Sequence, residues 1–278
     1  SGLEAALMHQ IICSTGALFG IPNGRNYRLL ADCVDKLRCD GYEFMFYSTW
    51  YDQIDQVASF LSGLGIPIPL WHCEKHIGEK LSLRGEGDWD EAFRQFEENC
   101  QLAVYLGARR MVIHLWDGLT SDQHFQNNLD AYPLLLARAQ RHGMELMVEN
   151  VVCNHGDPMT HWQQLHALDA DVRFTLDTKM AAFHRQMDLL YEKEYAWLWQ
   201  GPIRHLHVND YHGGYLDWPS LRTLHIGQGD VDFEKFFAFL PTVHYQGDYT
   251  VEATSFLPDG VIHCDDLNRT FDFIRSHI

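Results

Sequence analysis

Residues 143–177 read GMELMVENVVCNHGDPMTHWQQLHALDADVRFTLD. The stretch opens on an apolar run closed by Glu149 and ends on a second run, VRFTL, closed by Asp177. Between them, Asp157-Pro158 marks a helix start, with Asp as N-cap and proline at the first helical position, where an N–H is not needed. Neither run alternates cleanly between polar and apolar residues. That is the pattern of strands buried on both faces, as in parallel sheets. The stretch is one strand–loop–helix–strand unit, and both of its strands end on a carboxylate.

The same unit recurs outward in both directions. IPIPLWH (66–72) ends on His72, and RRMVIHL (109–115) carries His114. IRHLHVND (203–210) carries His207, and DYTVEAT (248–254) carries Glu252. Strand candidates fall at 8–14, 42–47, 66–72, 110–115, 144–149, 172–177, 203–208 and 248–253. The ends that carry these six residues recur roughly every 30–45 residues, the spacing of units in an eight-fold β/α barrel of about 250 residues. Helix candidates lie between them. Residues 26–39 (NYRLLADCVDKLRC) put Leu29, Leu30, Cys33, Val34 and Leu37 on one face, with Gly41 as C-cap. Residues 89–106 follow a capping-box-like Asp88 and Glu91. Residues 121–142 are helical, in two pieces or kinked at Pro133, and 187–200, 232–240 and 265–277 complete the set. An open doubly wound sheet shares this alternation but gathers its site at one crevice. Here six different strands end in ligand chemistry, which predicts a (β/α)8 TIM barrel, a single domain over residues 1–278.

Composition narrows the partners. Lys+Arg 21 against Asp+Glu 38 gives a net charge of −17. Nucleic-acid binding needs cationic surface to displace phosphate counterions, so a small molecule is expected and a nucleic acid is not. A membrane span needs about 20 apolar residues, and the apolar runs here are far shorter, so no membrane partner is expected. No basic stretch followed by an apolar one opens the sequence, which reads as lacking a signal peptide. The seven cysteines are odd in number and form no CxxC pair. That fits reduced thiols and a cytoplasmic location.

In a β/α barrel the C-terminal strand ends converge on one mouth. Three imidazoles and three carboxylates there make a divalent-metal site of N/O character. A single histidine at a strand end is ordinarily a hydrogen-bonded pocket residue. A carboxylate ending a buried strand is different, because its desolvation costs several kcal/mol unless it is paired or ligated. Glu149, Asp177 and Glu252 are three such cases. Around them, Glu43 and Tyr47 end the strand YEFMFY and either bind substrate hydroxyls or serve the structure. Lys75 and Lys179 are candidates for a substrate carboxylate or phosphate. Trp116, with Trp50 and Trp71, either stacks on a ligand or fills the core. The long segment 209–230 reads as a functional loop, and Gly227-Gln228-Gly229 as a phosphate cradle or a bare turn.

The motifs MELMVENV, FTLDTKMAAFH, IRHLHVND and YTVEAT, with HIGQGDVDF behind them, resemble in this order the xylose isomerase-like TIM-barrel superfamily. That superfamily includes sugar isomerases and epimerases and the endonuclease IV proteins. The resemblance covers most of the chain. It implies a divalent metal (Mn, Mg, Co or Zn) on Glu149, Asp177, His207 and Glu252, the ligand set of ketose 3-epimerases. It implies that His72 and His114 either contact substrate or hold a second metal that shares Glu149. Arg222 matches an arginine that members carry before the glycine-rich turn, which implies substrate contact. Two departures stand out. Met180 occupies a position where members commonly have histidine, and no Asp-x-His motif precedes His225-Ile226-Gly227, so the ligands of a third metal are missing.

The function implied is a metal-dependent isomerase or epimerase of a sugar or sugar-like polyol, often homo-oligomeric in the superfamily. Glu149 and Glu252 would exchange protons next to a carbonyl as general base and acid. A metal-dependent dehydratase (a lyase) of keto-inositols or keto-sugars shares the same first step. A phosphoester hydrolase of endonuclease IV type is disfavoured by the charge and the missing motif. A non-catalytic metal or sugar binder remains the fourth reading.

Overall fold

A computed structural model describes residues 9–278. Met8 of the first strand candidate, and the opening segment on which the absence of a signal peptide was read, lie outside the described residues. The strands are β1 (Ile11–Ser14), β2 (Gly41–Met45), β3 (Leu70–His72), β4 (Arg110–Ile113), β5 (Glu145–Glu149), β6 (Arg173–Asp177), β7 (Ile203–His207) and β8 (Asp248–Val251). They neighbour one another in chain order, and β8 returns to β1, closing the parallel eight-stranded barrel that the sequence predicts. Every residue of β1, β2, β3 and β8 is buried. This is why those runs show no polar alternation.

Helices follow the strands: α1 (Leu30–Cys33), α2 (Ile54–Leu64), α3 (His76–Leu83), α4 (Asp88–Tyr105), α5 (Phe125–Arg141), α6 (Pro158–Leu168), α7 (Thr178–Phe183), α8 (Phe233–Phe239) and α9 (Cys264–Arg275). None of the described helices is long and apolar enough to cross a membrane. α6 begins as expected, with the Asp157 side chain accepting from Thr160 N and Pro158 at the first helical position.

The chain forms two compact units, one taking it up to Glu43 and again from Thr175, the other running from Phe44 to Phe174. In the first, β1 sets Ser14 beside Glu43 of β2 and Cys13 beside Val251 of β8, while β7 sets His207 beside Thr250. In the second, β3 sets His72 beside Val112, and β4 sets Ile113 beside Val148.

Several helices depart from the periodicity. The one expected over 26–39 shrinks to a 3-10 turn at Tyr27–Leu29 and the single turn of α1. The side chain of Asn268 on α9 takes over the backbone beyond it, accepting from Arg38 N and donating to Lys36 O, both at 2.8 Å. Gly41 therefore caps nothing and is the first residue of β2. Residues 187–200 form two 3-10 helices, Asp188–Tyr191 and Lys193–Trp199. α4 starts at Asp88, so Gly87, in the left-handed region at φ 81°, takes the cap position. Pro133 lies inside an unbroken α5.

Candidate metal centre

In the first unit, β6 and β7 deliver Asp177 and His207 on their last residues, and Glu252 directly follows β8. Asp177 has a second local duty. As N-cap of α7, its Oδ1 accepts from Met180 N at 3.1 Å, which leaves Oδ2 to face inward. There Oδ2 stands 4.0 Å from His207 Nδ1, and Glu252 Oε1 stands 2.9 Å from the same nitrogen. Asn209 braces both carboxylates, its Nδ2 donating to Asp177 Oδ2 at 3.0 Å and to Glu252 Oε1 at 2.8 Å. Thr178 fixes Asn209 in turn, its hydroxyl donating to Asn209 O and accepting from Asn209 N. Asp177 and His207 are fully buried, and the Glu252 side chain is 11% exposed. Two carboxylate oxygens thus stand about one imidazole nitrogen, at 2.9 and 4.0 Å. This donor set fits a divalent metal.

Behind His207 lies Glu43 of β2, also fully buried. Its Oε2 is 2.8 Å from His207 Nε2, and its Oε1 is 2.9 Å from His205 Nε2 and 3.1 Å from Thr250 Oγ1. Burial alone would raise this carboxyl, but His207 and His205 outweigh it and hold Glu43 well below the usual carboxylate range. Of the two readings of Glu43, substrate hydroxyls or structure, these contacts favour structure: Oε1 sits against His205 and Thr250, and Oε2 faces His207.

In the second unit, β3 and β5 end on His72 and Glu149, and His114 directly follows β4. The rings of His72 and His114 meet edge-on with centroids 4.8 Å apart. His114 Nε2 lies 3.1 Å from Glu149 Oε2, and its Nδ1 lies 2.8 Å from Asp117 Oδ2. Burial opposes charge on this imidazole, but Glu149 and Asp117 outweigh it and push its pKa up to about 9. His72 Nδ1 is 2.9 Å from the Cys73 carbonyl, so that nitrogen carries the proton and Nε2 faces Glu149 Oε1 at 3.8 Å. The ligand atoms of His72, His114 and Glu149 form a second buried group able to hold a metal ion.

The other candidates are placed differently. Trp116 is fully buried, donating to Val151 O at 3.0 Å with its ring against Phe125 and His161. Trp50 and Trp71 are likewise buried. Lys179 donates to Thr223 Oγ1 at 2.9 Å. Lys75 occupies the N-cap position of α3; burial raises the pKa of Asp117, but His114 and then Lys75 outweigh it and lower it. Arg222 is exposed in the long loop. The Gly227-Gln228-Gly229 turn is already filled, because the buried Asp210 carboxylate accepts from Gly227, Gly229 and Val231 N at 2.9–3.0 Å. In the second unit Asp122 does the same for the loop after β5, accepting from Asn154, His155 and Gly156 N and from His161 Nε2. Asp122, Cys153 and His161 could themselves hold an ion. Those hydrogen bonds already surround the carboxylate, and burial first, then Asp122, raises the Cys153 thiol, so the group serves the loop. All seven cysteines are free thiols.

Sequence reading did not single out Asn209, His205, Thr250 or Asp117 for the site. A signal existed for three of them. His205 and Thr250 precede His207 and Glu252 by two residues, and Asn209 follows His207 by two, the period that puts side chains on one face of a strand.

Comparison with known proteins agrees with this architecture. The family model described as xylose isomerase-like TIM barrel matches residues 32–266. No curated protein matches the chain. Among solved structures, D-allulose 3-epimerase from Methylomonas sp. superposes with a TM-score of 0.69 at 15% identity, covering 97% of each chain. A 3-keto-D-glucoside 4-epimerase from E. coli gives 0.66 at 16%, covering 96% of this chain and 99% of its own. An L-ribulose 3-epimerase gives 0.65 at 16%, covering 95% and 86%.

Proposed function

Since the chain belongs to the xylose isomerase-like TIM-barrel family, we propose that it is a metal-dependent isomerase or epimerase of a small sugar or sugar-like polyol. The observation that carries the reading is the trio of Asp177, His207 and Glu252, braced by Asn209, in which the two carboxylates stand 4.0 and 2.9 Å from His207 Nδ1. The names of the solved structures it resembles, epimerases of allulose, ribulose and a 3-keto-glucoside, support the same class.

Asp177, His207 and Glu252 would hold a divalent ion (Mn, Mg, Co or Zn), with Glu149 as the fourth ligand. Such an ion supplies polarisation of a substrate carbonyl and the neighbouring hydroxyl. Glu149 and Glu252 carry the proton: one removes it from the carbon beside the carbonyl, and the other returns it. Lys179, Arg222 and Lys75 are the candidates for holding substrate hydroxyls or an anionic group. His72 and His114 complete either the substrate pocket or a second ion site with Glu149. We place the enzyme in the cytoplasm, consistent with its free thiols, as one catalytic domain, homo-oligomeric like its superfamily, with no nucleic-acid partner at a charge of −17.

The test is a screen of keto-sugars in deuterated water on protein of measured metal content. Solvent deuterium at the carbon beside the carbonyl, in a product of unchanged composition, is the expected result. A product lighter by one water makes the enzyme a dehydratase. Absence of bound metal under every loading condition sinks the metal-dependent reading. Glu149→Gln and Glu252→Gln should each lower turnover by about 10²–10⁴-fold; full activity in either removes that carboxylate from proton transfer.

A further inference from the structure

Glu43, read from sequence either as a residue for substrate hydroxyls or as a structural one, stands 2.8 Å from His207 Nε2. We propose that Glu43 is a positioning residue, which accepts the Nε2 proton of His207 and so presents Nδ1 as the lone-pair nitrogen toward Asp177 and Glu252. The proposal rests on the metal-binding reading above and adds to it the nitrogen that binds and the group that selects it.

Three observations support it. The first is distance: Glu43 Oε2 lies 2.8 Å from His207 Nε2, while Nδ1 lies 2.9 Å from Glu252 Oε1 and 4.0 Å from Asp177 Oδ2. The ring is thus strung between a carboxylate behind and the ligand carboxylates in front. The second is that Glu43 is itself held. Its other oxygen lies 2.9 Å from His205 Nε2 and 3.1 Å from Thr250 Oγ1, and that hydroxyl is 2.9 Å from the same His205 nitrogen. Each anchor comes from a different strand, so Glu43 cannot swing toward substrate without leaving two partners. The third is burial: Glu43, His205, His207 and Thr250 are all fully buried. A histidine ligand's second nitrogen generally donates to a partner of this kind, which fixes its tautomer and raises its basicity.

Glu43→Ala and Glu43→Gln separate positioning from simple filling of the core. Mn²⁺ titrated calorimetrically into metal-stripped protein should bind about 10–100-fold more weakly to Glu43→Ala. Glu43→Gln should recover most of that loss, because its amide oxygen accepts the same proton. Independently, ¹⁵N–¹H NMR of histidine-labelled protein should show a retained Nε2 proton on His207 in the wild type, with or without Mg²⁺. That signal should be lost or broadened in Glu43→Ala. The proposal is overturned if Glu43→Ala binds Mn²⁺ within twofold of wild type, if the wild-type proton sits on Nδ1 in the metal-loaded state, or if Glu43→Ala lowers only the melting temperature. If the wild type takes up no divalent metal, the functional reading fails, and the NMR signal still decides the role of Glu43.

Discussion

The two histidine–carboxylate clusters are built from the same residue types and held in different ways. In the first unit, Asp177 and Glu252 are braced by neutral donors: the Asn209 amide serves both, and the Met180 backbone N–H caps the first. Those donors keep their protons at any ordinary pH. In the second unit, Glu149 faces two imidazoles, and one of them, His114, is held in turn by Asp117. There the bracing is a charge that depends on pH. The first arrangement suits ligands held in place before an ion arrives. The second suits a carboxylate whose environment changes with protonation.

The most direct way to break this contrast is to remove a carboxylate from the braced cluster. Asp177→Asn keeps the shape but loses the anionic oxygen facing His207. It should reduce Mn²⁺ affinity by more than about 100-fold, whereas His72→Ala should retain one bound ion per chain. Elemental analysis after dialysis reads both; equal loss in the two variants would mean the clusters do not divide the work. A smaller effect is expected from Asn209→Ala. Without the amide, the two carboxylates lose the shared donor that holds them in place before an ion arrives. Metal affinity should fall by about 10-fold, the lower end for such supporting partners. The melting temperature of the metal-stripped protein should also change, and an unchanged affinity would show that Asn209 only fills space.

The fold and this contrast between the clusters were unequally legible in the sequence. Strand ends were visible because buried parallel strands leave unbroken apolar runs, and a charged residue closing such a run stands out, as with MELMVE and VRFTLD. Helix extents were less visible, because tertiary partners decide them. Nothing within residues 26–39 announces that Asn268, more than 200 positions away, will take the backbone of Lys36 and Arg38. The ligand-type residues were found by their position, but their supports were not, because an asparagine or threonine near a strand end is ordinary in isolation. Glu43 shows the limit most clearly. Its place on a buried strand was legible, but which way its carboxylate is engaged depends on His205 and Thr250, and those meet it only once the barrel has closed.

The mildest expected effect sharpens the contrast through pH alone. His114 in the metal-stripped fold has its pKa raised to about 9, above the value near 6.5 of an unfolded histidine. Its stabilising contribution is therefore complete below about 6.5 and is lost as pH rises through about 9. Glu43 runs the opposite way. Its pKa is lowered, so its contribution is complete above the unfolded carboxylate value and is lost only as pH falls below it. Between pH 7 and 10 the second cluster should soften, while Glu43 stays ionised. The loss, on the order of 3 kcal/mol at most, should lower the melting temperature by several degrees. His114→Gln, which carries no titrating group, should flatten that slope while starting from a lower melting temperature at pH 7. A wild-type melting temperature that stays level across this window, or a slope equally steep in His114→Gln, would show that His114 is not a charged link between Asp117 and Glu149.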